Sequence, residues 1–90
     1  MFYSLICTDK AGALQTRLDN RDAHLAYIKE TGVVTQAGPF LNAEGAMSGS
    51  LVVLDVAERD AAQAWADNDP YALAGLFENV RIEAWKRVIG

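Results

Sequence analysis

Ser48-Gly49-Ser50-Leu51-Val52-Val53-Leu54-Asp55-Val56 is the stretch on which the fold turns. Its four consecutive apolar residues, Leu51 to Leu54, do not alternate with polar ones, so no face of the strand is left for water. Such a run predicts a strand buried on both sides. A sheet built around it needs helices on one face and a second layer on the other.

The neighbouring segments supply the rest of that sheet. Val33 to Ala37 predicts a strand stopped by Gly38-Pro39, and Phe40 to Ala46 a hairpin loop with Asn42 and Gly45 as turn-permissive residues. Before it, a helix is expected from Asp19 or Asn20 to Thr31. Either residue can accept hydrogen bonds from free amides at the start, and Gly32 can end it in the left-handed conformation. Leu25 and Ile28 form its apolar stripe, with Lys29 and Glu30 in water. Ala13 to Asn20 reads as a loop, Asp9 to Gly12 as a turn, and the aromatic and branched Met1 to Thr8 as the first strand. Downstream, Ala57 to Asp67 is a helix with a weak start, because Ala57 cannot cap. Asp69-Pro70 opens a short helix through Ala74, ended by Gly75, and Asn79 to Ile89 closes the chain as a strand. Strand, helix, strand, strand, helix, strand is the split β-α-β order of α+β, ferredoxin-like βαββαβ folds: an antiparallel sheet with two helices on one face. Two such sheets packed face to face would cover the remaining side, giving a dimeric α+β barrel.

Composition agrees with a small associating domain. Residues 1–90 are enough for one domain only, and a 51% apolar content exceeds what one small core hides. A homodimer, or a higher oligomer, is therefore expected. Twelve acidic residues against eight basic give a net charge of -4, with the basic residues scattered, which argues against nucleic acid as a partner. Cys7 is the only cysteine, so neither an internal disulfide nor a cysteine zinc site can form, and in its apolar surroundings it reads as a small hydrophobe. No metal-ligand pair, phosphate loop or serine elbow occurs, so no cofactor and no metal are expected. No segment reaches the roughly 20 apolar residues of a membrane span, and a cytoplasmic protein is expected.

The candidate chemistry rests on a lone histidine. His24 lies on the same helical face as Arg21, Tyr27 and Ile28. It reads either as a partly buried structural histidine or as a general acid–base, since an unperturbed imidazole titrates at about pH 6.5. Asp69, before Pro70, is an ordinary N-cap by position, yet a capping carboxylate keeps a second acceptor for an imidazole. Ser48 and Ser50, flanking Gly49, can present hydroxyls to a pocket or bond local backbone. Tyr71 reads first as a core or interface aromatic.

Taken in order, Arg21-x-x-His24-x-x-Tyr27, Gly32, Ala37-Gly38-Pro39, Gly45-x-x-Ser48-Gly49, Asp69-Pro70-Tyr71-x-x-Ala74-Gly75-Leu76 and Ile82-Glu83-Ala84-Trp85 resemble the YciI-like (YCII-related) family. The resemblance runs from the first strand to the last. One departure is Ala84, where relatives commonly carry proline. The resemblance implies a dimeric α+β barrel and a pocket holding a histidine–aspartate pair, which falls on His24 and Asp69. It also implies proton-transfer chemistry, dehydrochlorination included, on small cyclic or aromatic-derived compounds. Two functions follow as expectations. One is a cofactor-independent lyase or isomerase in which His24 and Asp69 are catalytic and Arg21, Ser48 and Tyr71 bind a small-molecule substrate. The other is a non-catalytic dimeric small-molecule binder or partner domain.

Overall fold

The computed structural model describes all 90 residues. Four strands, β1 (Phe2–Asp9), β2 (Val34–Leu41), β3 (Met47–Asp55) and β4 (Phe77–Trp85), form one antiparallel sheet in the order β2-β3-β1-β4. Three helices, α1 (Leu14–Thr31), α2 (Arg59–Asn68) and the single turn α3 (Pro70–Leu73), complete the chain. β3 lies between β1 and β2, so α1 crosses over a split β-α-β unit, as the element order predicts.

Alternation along the strands sets the core. Tyr3, Leu5 and Cys7 of β1, Val52 and Leu54 of β3 and Ile82 of β4 pack against Ala62, Trp65 and Ala66 of α2. α1 and α2 are tied by two polar contacts: the Tyr27 hydroxyl donates to the Trp65 carbonyl at 2.9 Å, and Trp65 Nε1–H donates to Thr31 Oγ1 at 2.9 Å. The opposite parity of β1 and β3 carries Phe2, Ser4, Ile6, Leu51 and Val53 and has no helix over it. No helix is long and apolar enough to cross a membrane.

The largest departures from the sequence expectations are in α1, β2 and β4. α1 begins at Leu14, well before Asp19, and absorbs the expected loop. Its N-cap is Ala13, which offers no side-chain acceptor, so the start carries no capping signal. More unusually, its buried residues are Arg17 and His24, two turns apart on one face. A polar buried face has no apolar periodicity to read. Asp19 and Asn20 are mid-helix: Asp19 accepts from Gln15 Nε2 at 2.7 Å and Asn20 Nδ2 donates to the Thr16 carbonyl at 2.8 Å.

β2 continues through Gly38-Pro39 to Leu41. It is an edge strand, where a proline without an N–H interrupts no second ladder. The hairpin is correspondingly tighter, with Asn42 Oδ1 accepting from the amides of Glu44 and Ala46, both at 3.0 Å. β4 begins at Phe77 and ends at Trp85, short of Ile89, which is 92% exposed.

Candidate active site

The polar face of α1 looks onto the sheet between β3 and the edge strand β2, and the gap holds a cavity of about 180 Å³. Arg17, Arg21 and His24 of α1, Ala37 and Pro39 of β2, Ser50 and Val52 of β3, and Tyr71 of α3 are on its walls. Residues from four elements meet there.

His24 is 6% exposed and Asp69 2%. His24 Nδ1 lies 2.7 Å from Asp69 Oδ1. An ionised carboxylate only accepts, so Nδ1 carries the proton and Nε2 is the nitrogen left for the cavity. The same Asp69 Oδ1 accepts from the Tyr71 amide at 3.0 Å, capping α3. Capping and histidine-holding are thus done by one atom. Pro70 at the first helical position directs the chain so that the next residue, Tyr71, lays its ring on the imidazole, centroids 3.9 Å apart and planes within 14°.

Beside this stack sits a cluster the sequence expectations did not include. Arg17, 3% exposed, is gripped by Asp9 at the end of β1: Nε donates to Oδ2 at 2.8 Å and Nη2 to Oδ1 at 2.9 Å. Nη2 also donates to Ser50 Oγ at 2.8 Å, and the guanidinium carbon lies 4.9 Å from the Tyr71 ring centroid. Burial works against the Arg17 charge, but the hydrogen bonds and charge of Asp9 outweigh it and hold its pKa above the ordinary arginine value. Burial raises the Tyr71 phenol, with the nearby charges of Arg17 and Arg21 pulling the other way, so its hydroxyl stays protonated at neutral pH. Cys7 lies in the core behind the site. Burial first, and the Asp69 charge second, push its thiol up to about 12, so it packs as a small hydrophobe and is no nucleophile at neutral pH.

Of the residues singled out from sequence, Arg21, His24, Asp69 and Tyr71 come together in or against the cavity; Arg21 is exposed at its mouth, without an ion-pair partner. Ser48 does not. The β2–β3 register shifts so that Leu41 pairs with Met47 and Phe40 with Gly49, leaving Ser48 as the unpaired residue of a bulge. That inversion of parity puts Met47, Ser50 and Val52 on the cavity side, and Ser48 Oγ instead approaches the Phe40 carbonyl at 3.5 Å. The serine at the cavity is Ser50. Arg17 was legible in principle: it stands seven residues before His24, but only a helix begun at Leu14 places both on one face.

Fold and pocket together define an α+β protein of ferredoxin-like topology with a buried histidine–aspartate pair at a small cavity. The chain belongs to the YCII-related family, whose domain model matches residues 1–86. The YciI protein of Escherichia coli is 40% identical over a 97-residue alignment that covers 98% of this chain and 99% of the relative. Among solved structures, the 5-chloro-2-hydroxyhydroquinone dehydrochlorinase of Burkholderia phenoliruptrix, in complex with 2,5-dihydroxybenzoquinone, superposes with a TM-score of 0.88 at 34% identity, covering 96% of this chain and 94% of that one. A NIPSNAP family protein of Agrobacterium tumefaciens shares the fold alone, with a TM-score of 0.55 and 20% identity over 91% of this chain and 87% of that one.

Proposed function

We propose that the protein is a cofactor-independent acid–base catalyst of lyase or isomerase type that moves a proton on a small ring compound. The observation that carries this reading is the buried 2.7 Å contact between His24 Nδ1 and Asp69, which leaves Nε2 free at the cavity. Nε2 takes a proton from the substrate and the electron pair stays on the ring system as an enolate. The proton then returns to a different atom, or the electron pair expels a leaving anion. Asp69 holds the imidazole tautomer and offsets the positive charge it acquires. Arg21 and Tyr71 contact the substrate, Arg21 at the mouth and Tyr71 across the face of the imidazole. The dehydrochlorinase at 34% identity supports the class of chemistry.

The reading also makes the protein a cytoplasmic homodimer, its helix-free sheet face covered by a second copy. Phe2, Ile6 and Leu51 on that face are only half-buried in the single chain, as an unfilled interface would leave them.

The test is hydrogen–deuterium exchange of ring protons on hydroxylated benzoquinones and hydroquinones, followed by NMR, for wild type and His24→Asn. The asparagine amide can replace Nδ1–H as donor to Asp69 but supplies no base. Exchange should fall by about 10²-fold or more. Equal exchange in both proteins would remove His24 from the chemistry. A second reading, a non-catalytic small-molecule binder, draws on Asp69's capping bond, which accounts for the carboxylate structurally. Ligand binding with no exchange in wild type would favour it.

A further inference from the structure

Arg17 has five N–H donors in a fixed fork. Nε–H and both protons of Nη2 are assigned, to Asp9 and to Ser50. Nη1 has no carboxylate or backbone partner: one of its two protons turns to the Tyr71 hydroxyl oxygen and the other is left for the cavity, on a side chain 3% exposed that lines it. Ser50 has the complementary condition. Its oxygen accepts from Arg17, so its own proton must point elsewhere, and no protein acceptor takes it. Ser50 is 3% exposed and also lines the cavity. The Tyr71 hydroxyl takes an Arg17 hydrogen bond on its oxygen, and its own proton likewise has no protein acceptor. Three donors therefore border one small space, and none of the three side chains offers it a negative charge.

Stability alone does not explain such a cluster. A buried ion pair seldom improves on apolar packing of the same volume, because desolvating both charges costs about what their attraction returns. What the bidentate Asp9 contact does secure is orientation: it pins the guanidinium plane with one edge toward Asp9 and Ser50 and the Nη1 edge toward Tyr71 and the cavity. Asp9 and Arg17 cancel in charge, while Arg21 adds a positive charge at the mouth without an ion-pair partner. Volume limits the guest. A cavity of about 150 Å³ holds benzene, so about 180 Å³ is room for one ring with small substituents.

We infer that Arg17 Nη1, Ser50 Oγ–H and the Tyr71 hydroxyl form an oxyanion subsite that selects single-ring ligands carrying an ionised ring oxygen, a phenolate or enolate. It deepens the proposed function and rests on that reading of the cavity: the subsite stabilises the oxygen onto which charge moves when His24 removes a proton. Arg17 and Ser50 bind and position; His24 does the chemistry.

The experiment uses para-nitrophenol, whose ionisation is visible in its absorbance, and its neutral methyl ether para-nitroanisole as the matched control. Wild-type protein should bind the phenolate at least about tenfold more tightly than the ether. The bound chromophore should also ionise at lower pH than the free one, by about one unit. Ser50→Ala should lose about tenfold in phenolate affinity with the ether unchanged, and its bound chromophore should titrate closer to the free value. Arg17→Lys, which keeps a charge for Asp9 but lacks the fork, should behave like Ser50→Ala. Ser48→Ala should match wild type. Equal affinity for ether and phenolate, or equal losses for both in Ser50→Ala, overturns the subsite. If that happens while His24→Asn still abolishes proton exchange, only the subsite falls. If phenolate selectivity holds while His24→Asn exchanges normally, the subsite stands and the catalytic reading falls. Failure of both probes to bind overturns the subsite, and the exchange assay with His24→Asn then decides the catalytic reading by itself.

Discussion

Replacing Asp69 separates the two tasks its Oδ1 performs. In Asp69→Ala, α3 loses its cap, which costs about 1 kcal/mol. The His24 Nδ1–H, in a residue 6% exposed, loses its acceptor and cannot reach water, which costs about a further 2 kcal/mol. The sum is about 3 kcal/mol, a large part of the roughly 5–15 kcal/mol that holds a small domain together. Asp69→Asn keeps an oxygen for both N–H groups and exchanges a charge-assisted bond for a neutral one, so it should cost only about 1 kcal/mol. The pair term is isolated in a His24→Phe background, where an aromatic ring still covers Tyr71 but presents no donor. There Asp69→Ala should cost only the cap, about 1 kcal/mol, leaving a coupling of about 2 kcal/mol between residues 24 and 69. Urea unfolding followed by circular dichroism, at one fixed protein concentration, measures all four corners. A coupling below about 0.5 kcal/mol would refute the reasoning, because the pair would then contribute no more than neighbours that merely touch.

Three other perturbations follow from the same geometry. Arg17→Met strands the Asp9 carboxylate, whose side chain is 7% exposed, and should destabilise by about 3–5 kcal/mol, whereas Arg17→Met with Asp9→Leu should recover most of it in the same urea assay. Gly49→Ala should cost about 2 kcal/mol, since a Cβ there collides with the Cys7 carbonyl across β1 and β3, while Gly38→Ala, which faces open space, should be close to neutral; thermal melts compare them. For Cys7 the folded pKa of about 12 exceeds the ordinary thiol value of 9.0, so its contribution is intact below about pH 9 and is lost as pH rises from there towards 12. About 1 kcal/mol should be gone near pH 10, and Cys7→Ala should flatten that slope; at pH 8, iodoacetamide should label the unfolded chain and spare the folded one.

How far the sequence could be read varies along the chain, and the reason is the same at each point. β3 was legible because Leu51 to Leu54 is apolar without interruption, and the N-cap at Asp69 because Asp-Pro is a local signal. The first two turns of α1 were not. Their buried residue is Arg17, and a charge is buried only where a partner such as Asp9 exists, a contact made between β1 and α1 that no local pattern announces. Ser48 lies off the cavity that Ser50 lines for a related reason. Strand parity points Ser48 and Ser50 the same way, and the bulge that reverses it is a property of the pairing with β2 rather than of either strand.

From its residues alone this chain declared an antiparallel sheet with helices on one side, a single imidazole on a helix and a capping aspartate far downstream. Hydrophobic runs and caps act over a few residues, and their physics is written locally. Only the tertiary structure decided that His24 Nδ1 and Asp69 Oδ1 meet at 2.7 Å, that Tyr71 lies flat on the imidazole, and that Arg17 and Ser50 reach the same cavity. Those are contacts between elements, set by how α1 lies across the sheet and by the bulge that sets strand parity. A buried polar group keeps its place only when its distant partner is already in position.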